Sequence, residues 1–336
     1  MRHLTLLLLV SLLSCTGQAP PADATPPAET PLAEWQAVIP SDSSAPTARH
    51  EAAFVQVGDK AYLLGGRRIN PVDILDLNTM TWTAGADSPV EIHHFQPVVY
   101  QDEIYLMGAM TGKYPGETPL PEIYIYSPAK DEWRTGATIP EGRRRGGAGT
   151  VLHDGLIYMV CGIQDGHRGG HVPWLDAYNP ETNSWEQLPD APRSRDHFQA
   201  VAHGNKIYAL AGRTTVAATN PFANTIAEVD VYDLATNSWS TLSDTLPTLR
   251  AGNAAIALGD EILVAGGEST AHEVAHNEVE ALAVKTGKWR SLDTLSRGRH
   301  GTGVIHYQNQ LIMASGCGNR GGSPELGDII KMILKN

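Results

Sequence analysis

A tryptophan recurs at intervals of about 50 residues along this chain, at Trp35, Trp82, Trp133, Trp185, Trp239 and Trp289. A short apolar run that ends in small residues follows each tryptophan, as in residues 62–66 and 263–267. A period of this length predicts one multi-stranded unit that is used several times, rather than a single core joined by long loops. The repeat therefore constrains the fold more than any other feature of the chain.

Each repeat is predicted to contain four short strands, named a to d. In the fourth repeat, residues 198–203, 206–212 and 228–233 read as strands a, b and c, and Ser238 opens strand d. Turn pairs such as Gly204-Asn205 separate the strands and tolerate the positive φ that two-residue hairpins require. With 33 glycines in 336 residues, the composition also favours an all-β protein with many tight turns.

Two further columns of the repeat indicate core packing. A large apolar or aromatic residue stands seven positions before the tryptophan in five repeats, at Leu75, Tyr126, Tyr178, Tyr232 and Leu282. An arginine precedes strand a in five of six repeats, and a small pair ends strand b. Over residues 35–334 this pattern resembles the kelch repeat, and the resemblance implies a β-propeller fold.

The two ends of the repeat region predict the number of blades. Trp35 has no strands a to c before it, and the last repeat has no tryptophan after its strand c. Residues 34–39 are therefore expected to supply strand d of the last blade. The result is an all-β, six-bladed kelch-type propeller with four antiparallel strands per blade, closed by its N-terminal strand, which leaves no free sheet edge.

The first residues are expected to lie outside the propeller. Leu4 to Leu13 form an apolar stretch that suits a signal peptide but is too short to span a membrane. The stretch ends before Cys15 in a pattern that resembles a bacterial lipobox. We therefore expect a lipoprotein signal peptide over residues 1–14, a lipidated Cys15 opening a Pro-rich tether over 15–33, and the propeller over 34–336. The resemblance implies the bacterial cell envelope, at the periplasmic face of the outer membrane or at the cell surface.

One face of the predicted propeller, the loop face, carries the b–c loops, such as residues 163–173 and 213–225, and the d–a loops. The formal net charge of −12 argues against nucleic-acid binding, yet many arginines and histidines fall on these loops. The recurring arginines are interpreted as serving the repeat itself. The other cationic side chains are the predicted ligand-binding residues: Arg67, Arg68, Arg144, His167, Arg168, His171, Arg213 and Arg320. Such a cluster favours an anionic ligand.

Three side chains are candidates for acid–base chemistry: His94, His197 and Glu268. His94 and His197 stand two residues beyond the arginine column, as does Glu51, and all three are expected to converge near the propeller axis. No local spacing of histidines, cysteines or carboxylates indicates a metal site. The sequence therefore predicts neither a metal nor a cofactor.

The favoured function is a binding module on the loop face, taking a small anionic or sugar ligand or a segment of a protein partner. A monomer is expected, with membrane contact only through the lipid anchor. The alternative is an enzyme, because exported kelch propellers include the N-acetylneuraminate epimerases. This resemblance implies a sugar mutarotase, with proton transfer by His94, His197 or Glu268 and an anion clamp of Arg144, Arg168 or Arg213.

Overall fold

The computed structural model describes residues 34–334 of the chain, which form six four-stranded antiparallel sheets. Strand a of each sheet contacts strand a of the next, and the sixth contacts the first, so the sheets are the blades of a closed ring. The fold is therefore the predicted all-β, six-bladed propeller. No helix within this described range is long and apolar enough to cross a membrane.

Each blade contains four strands, which pair in the order a, b, c and d. Blade 1 contains Ala52–Val57, Lys60–Gly65, Pro71–Asp76 and Thr81–Asp87. Blade 2 contains Pro97–Tyr100, Glu103–Leu106, Glu122–Ser127 and Glu132–Thr138. Blade 3 contains Gly149–His153, Leu156–Val160, Leu175–Asn179 and Ser184–Leu188. Blade 4 contains Gln199–His203, Lys206–Leu210, Asp230–Asp233 and Ser238–Thr241.

Blade 5 contains Ala254–Leu258, Glu261–Ala265, Val279–Ala283 and Lys288–Ser291. Blade 6 contains Val304–Tyr307, Gln310–Ala314, Ile329–Ile333 and, as strand d, Gln36–Val38. The b–c loops add two small hairpins, Met110–Thr111 with Thr118–Pro119 and Ile163–Asp165 with Gly169–His171. Short 3-10 helices cover Glu141–Arg143 and Gly166–Arg168.

The ring closes where the ends of the repeat region predicted. Gln36–Val38 pairs antiparallel with Ile329–Ile333, with Ala37 opposite Ile330. The predicted strand b of blade 4 was too long, however, because it included residues 211 and 212. Both have positive φ, 58° for Ala211 and 87° for Gly212, so the chain leaves the sheet at Leu210.

The small pair that ends strand b joins neighbouring blades. The N–H of Gly212 donates to the carbonyl of Arg250 in the next blade, at 3.0 Å, and the N–H of Gly66 donates to that of Ile92, at 2.8 Å. A Cβ on Gly65 would overlap the same Ile92 carbonyl oxygen. Small residues recur at this position because the backbone of the next blade passes too close for side chains.

The aromatic columns form the packing between blades. Tyr126 lies opposite Trp133 across strands c and d, and the equivalent pair in blade 3 is Tyr178 with Trp185, with ring centroids 5.2 and 4.8 Å apart. The hydroxyl of Tyr126 donates to Asp131 in the following turn at 2.6 Å. The interpretation of these columns as core is confirmed, because each pair packs against a neighbouring sheet.

The recurring arginines are internal braces of the blades. Their side chains are fully buried, and each guanidinium bonds a carboxylate at the start of strand c as well as backbone carbonyls. The carboxylate partners are Asp73, Asp176, Asp230, Glu280 and Asp328. In blade 2 both members are replaced together, since Ile92 stands in the arginine column and Tyr124 in the carboxylate column. The column therefore serves the repeat rather than a ligand.

Blade 2 supplies a design for testing this brace. Arg250→Ile leaves Glu280 buried without its cation, and we expect it to lower the free energy of unfolding by about 3–5 kcal/mol. Arg250→Ile with Glu280→Tyr copies the Ile92–Tyr124 pair and should recover most of that loss. Urea denaturation of the three proteins is the measurement. A double variant no more stable than the single variant would contradict the brace.

Candidate functional site

The six residues two positions beyond the arginine column form a continuous ring around the axis, which we call the axial belt. Its members are Glu51, His94, Gly147, His197, Gly252 and Gly301, all with φ between 53° and 64°. The N–H of every member except Glu51 donates to the carbonyl of the previous member at 2.6–3.2 Å. The N–H of Ala52, next to Glu51, closes the ring onto the carbonyl of Gly301 at 3.1 Å. Glu51, His94 and His197 are thus brought together at the axis.

Half of the axial belt carries side chains in a backbone conformation that favours glycine. Three blades place glycine there, whereas Glu51, His94 and His197 have φ of 53°, 54° and 53°. Non-glycine residues in this region cost on the order of 1 kcal/mol each and are enriched at functional sites. The three side chains are therefore the members of the belt to which a function can be assigned.

A third histidine joins the two on the belt. His167 lies on the 3-10 helix Gly166–Arg168, and the b–c loop of blade 3 carries this helix over the axis. Nε2 of His167 lies 3.1 Å from Nε2 of His197, and the ring of His94 packs edge-on against both, with centroids 5.0 and 4.6 Å away. Blades 2, 3 and 4 each contribute one imidazole to this buried cluster.

Buried carboxylates hold two of the three imidazoles. Nδ1 of His167 lies 2.9 Å from Oε2 of Glu117, and Nδ1 of His197 bonds Oδ2 of Asp196. Arg67 donates to Oε1 of Glu117 at 2.7 Å, and the hydroxyl of Thr215 donates to Asp196 at 2.6 Å. Because a carboxylate only accepts hydrogen bonds, each Nδ1 carries a proton and each Nε2 is turned inward.

His94 has the same inward orientation by a different route. Nε2 of His93 faces the carbonyl oxygen of Gly112 at 3.2 Å, and Nδ1 of His93 lies 2.6 Å from Nδ1 of His94. The carbonyl can only accept, so His93 is protonated on Nε2 and accepts on Nδ1. His94 must then donate from Nδ1, which leaves its Nε2 lone pair directed toward Glu51, whose Oε2 is 3.5 Å away.

The protonation states follow from this enclosure. Burial, together with the neighbouring His197 and His93, holds the pKa of His94 well below its usual value. Burial likewise lowers the pKa of His197, against the opposing effect of Asp196. Burial raises the pKa of Glu117, but bonds from His167 and Arg67 outweigh it and leave that pKa far below its usual value. Near neutral pH His94 and His197 are therefore neutral imidazoles, and Glu117 is an ionised carboxylate.

A cavity of about 540 Å³ opens above the histidines on the loop face. Its wall combines two aromatic rings, Tyr114 and Phe222, with polar and charged groups. The lining residues are His50, Glu51, Arg67, His94, Tyr114, His167, Arg213, Pro221, Phe222, Glu268, Gly321 and Gly322. A volume of this size is typical of small-molecule sites.

The predicted ligand-binding residues do not form one cationic group. Arg67, His167 and Arg213 line the cavity, and Arg320 lies over the ring of Phe222, 5.6 Å from its centroid. Arg68 and Arg168 have side chains 57% and 60% exposed and lie outside the lining.

Two other predicted ligand-binding residues have internal partners. Arg144 donates to the carbonyl of Ile139 at 3.2 Å, and His171 faces Asp196 at 3.4 Å. The cations of the cavity wall are compensated, because Arg67 pairs with Glu117 and Arg213 with Glu268. In the pocket that the sequence predicted to be cationic, a carboxylate therefore offsets the charge of each of these two arginines.

Glu268, the third acid–base candidate, is held in the cavity wall by contacts with other residues of the protein. Its Oε1 accepts from Arg213 at 2.7 Å, and its Oε2 accepts from the N–H of Gly321 at 2.7 Å and lies 3.4 Å from Nε2 of His300. Burial alone would raise the pKa of Glu268, but His300 and Arg213 lower it to about 2. So weak a base transfers protons poorly at neutral pH.

Several residues of the site were not among the predicted ones: His93, Tyr114, Glu117, Asp196 and Phe222. Asp196 directly precedes His197, and this adjacency was a usable signal. Glu117 and Tyr114 come from the b–c loop of blade 2 and Phe222 from that of blade 4, and nothing in their local sequence marks them. They reach the site only because closure of the ring brings these loops together.

His300 provides a pH test of the braced wall. Burial alone would lower the pKa of His300, but Glu268, Cys317 and Glu51 raise it to about 9 from the usual 6.5. The charged form therefore stabilises the fold below pH 6.5, and this stability is lost as the pH rises through 9. We expect the loss to be on the order of 3 kcal/mol and to be absent in His300→Gln.

Urea denaturation between pH 6 and 9.5 measures this effect. His306→Gln, which changes an exposed histidine on a blade 6 strand, is the control. An identical pH dependence of stability in wild type and His300→Gln would show that His300 is not charged in this wall.

Known proteins share both the sequence pattern and the fold. The chain is 28% identical to Kelch-like protein terF of Aspergillus terreus over 319 residues, 88% of this chain and 67% of that protein. It is 24% identical to human Kelch-like protein 23 over 260 residues, and the match spans only 43% of that protein. It is 26% identical over 323 residues to the N-(sulfonatooxy)prop-2-enimidothioate sulfolyase of Thlaspi arvense, covering 86% and 89% of the two chains.

The solved structure of YjhT superposes with a TM-score of 0.73 over 87% of this chain and 97% of that one, at 17% sequence identity, and so supports the fold. The model of the Attractin/LZTR1 beta-propeller family matches residues 29–269. Since this match covers more than half of the chain and agrees with the closed ring of kelch-type blades, the chain belongs to the Attractin/LZTR1 beta-propeller family.

Proposed function

We propose that this protein is a binding module that takes a sugar-sized polar ligand in the axial cavity of its loop face. The observation that carries the proposal is the cavity wall itself, in which the rings of Tyr114 and Phe222 stand beside paired charges such as Arg213 with Glu268. Aromatic faces pack against the apolar face of a sugar ring, and the paired charges offer both donors and acceptors to hydroxyl groups.

The balance of charge favours a polyhydroxylated ligand over a simple anion. An anion would have to compete with Glu117 for Arg67 and with Glu268 for Arg213, and both of these carboxylates are buried. Removing one partner of a buried pair costs several kcal/mol. Hydroxyl groups can instead hydrogen-bond the remaining donors and acceptors of these ion pairs without breaking them. The expected ligand is therefore a carbohydrate or a similar polyol.

A catalytic role is the second candidate. One relative that matches nearly this whole chain is named a sulfolyase, so a propeller of this kind can carry an enzyme. His94 and His167 line the cavity, and an imidazole can exchange protons with a bound sugar. The mutarotase alternative would use these histidines, whereas the braced Glu268 is unsuited to the task.

A ligand screen tests the proposal. The purified protein is expected to bind members of a glycan array, and Phe222→Ala should weaken binding of a hit about tenfold or more through loss of ring packing. Leu152→Ala, which removes an exposed apolar side chain outside the cavity lining, is the matched control.

The outcomes of this screen separate the candidates. Binding that Phe222→Ala weakens, without faster exchange between sugar anomers by NMR, supports a binding module. Accelerated exchange that His167→Gln abolishes would assign the enzymatic role. No binding to any glycan, or equal binding by Phe222→Ala and wild type, would contradict the carbohydrate site.

We also propose that the propeller works at the bacterial cell envelope, held by a lipid on Cys15. This residue and the preceding apolar stretch lie outside the described residues, so the proposal rests on the sequence pattern and on the Pro-rich segment that would space the domain from a membrane.

Membrane fractionation tests the anchor. The full chain expressed in a bacterium with an outer membrane should sediment with membranes and enter the detergent phase. Cys15→Ala should remain in the aqueous fraction, since the apolar stretch alone is too short to span a bilayer. Equal partitioning of the two proteins would contradict lipidation.

A further inference from the structure

We propose that His94, His167 and His197 bind one divalent transition-metal ion through their Nε2 atoms at the floor of the axial cavity. The three imidazoles come from three successive blades, and their ligand atoms all lie within 4.8 Å of one another. This site goes beyond the proposed carbohydrate binding and does not depend on which ligand occupies the cavity.

The distances suit a shared ion better than direct contact between imidazoles. Nε2 of His167 and Nε2 of His197 are 3.1 Å apart, and each faces the other with a lone pair when Nδ1 carries the proton. Two lone pairs at this distance repel. In a tetrahedral site with metal–nitrogen bonds of about 2.0–2.1 Å, neighbouring ligand atoms are about 3.3 Å apart, so one ion would convert the repulsion into two bonds.

The surroundings of the histidines match what metal-binding imidazoles require. Nδ1 of each ring is hydrogen-bonded: that of His167 to Glu117, that of His197 to Asp196 and that of His94 to His93. Metal-bound histidines almost always have such a partner on the second ring nitrogen, because it fixes the tautomer and the ring orientation. A set of histidines that only filled space would not need a partner on Nδ1 of every ring together with ligand atoms that lie within 4.8 Å of one another.

The backbone gives a second, independent indication. At the equivalent positions of the belt, blades 3, 5 and 6 place glycine, whereas blades 2 and 4 keep His94 and His197 at φ of 54° and 53°. Glycine would relieve this strain, so the histidines are retained against a local cost in stability. Such a cost is expected where a side chain has a function in the site.

The ligand set indicates the class of ion and its chemistry. Three imidazoles suit Zn²⁺, Cu²⁺, Ni²⁺, Co²⁺ or Fe²⁺ rather than Ca²⁺ or Mg²⁺, which prefer oxygen. Three protein ligands leave at least one coordination position open, as in catalytic zinc sites. Because His94 and His167 line the cavity, such a position would be reached from it, and the carboxylate of Glu51, 3.5 Å from Nε2 of His94, would offset part of the charge of the ion.

Isothermal titration of the full chain with Zn²⁺, after treatment with a chelator, is the first test. We expect one ion per chain. His167→Gln and His197→Gln should each lower the affinity at least about 100-fold, and Glu117→Gln about 10- to 100-fold, because Glu117 positions His167 without touching the ion. His306→Gln is the control and should bind as wild type does.

A second variant keeps the test valid if those proteins fold poorly. His94→Gly gives blade 2 the residue that blades 3, 5 and 6 use in the belt. We expect the metal-free His94→Gly protein to melt at the same temperature as metal-free wild type or higher, and to lose Zn²⁺ binding. A purely structural His94 would instead lower the melting temperature and leave any Zn²⁺ binding intact.

A second group of possible ligands supplies a competing location. His272, His276 and Glu278 also lie close enough to share an ion, but His272 is exposed. Zn²⁺ binding that persists in His197→Gln and disappears in His272→Gln with His276→Gln would overturn the axial site. So would the absence of stoichiometric Zn²⁺ binding by wild type. Loss of binding in the axial variants alone establishes it.

Discussion

The hydrogen bonds of the axial belt link all six blades and place their loops around one point. Five belt residues donate their N–H to the carbonyl of the belt residue of the preceding blade, and the N–H of Ala52 completes the circle in place of that of Glu51. Because every bond needs the same left-handed backbone, the belt also decides which side chains reach the axis. Where the residue is glycine nothing projects, and where it is Glu51, His94 or His197 a functional group does.

A buried ion pair inside each of five blades supports this belt. The recurring arginines bond the carboxylates of strand c. The backbone carbonyls of four of them accept hydrogen bonds from the small pair of the preceding blade. Blade 2 shows that the brace can be exchanged for apolar contacts, since Ile92 and Tyr124 replace both partners at once. A cation removed without its carboxylate would leave a buried charge, which explains why the two columns change together.

The fold could be predicted because its sequence pattern repeats. The site was harder to predict because its loop residues do not repeat from blade to blade. Tryptophan spacing, the Tyr column and the lone Trp35 sufficed for the blade number and for closure, because each local pattern recurs several times. The axial positions of His94 and His197 followed from the same alignment. The pairing of Arg67 with Glu117 and of Arg213 with Glu268 did not, because each pair joins loops of different blades. The sequence therefore predicted the cations of the pocket but not the carboxylates that pair with them.

The proposed metal site was not predicted from the sequence, on similar grounds. Its ligands lie in three different loops, so no short spacing exposes them, and His167 reaches the axis only through the 3-10 helix Gly166–Arg168. Its supports are equally scattered, since Glu117 comes from blade 2 and Asp196 from the approach to blade 4. Only a closed ring makes neighbours of these residues.

The most direct test of the axial site is a crystal structure of the protein soaked in Zn²⁺, with diffraction recorded on both sides of the zinc absorption edge. We predict one anomalous peak on the axis, about 2.0–2.1 Å from the Nε2 atoms of His94, His167 and His197. Imidazoles that point away from one another, or an axis without a peak while zinc is found elsewhere, would rule the site out.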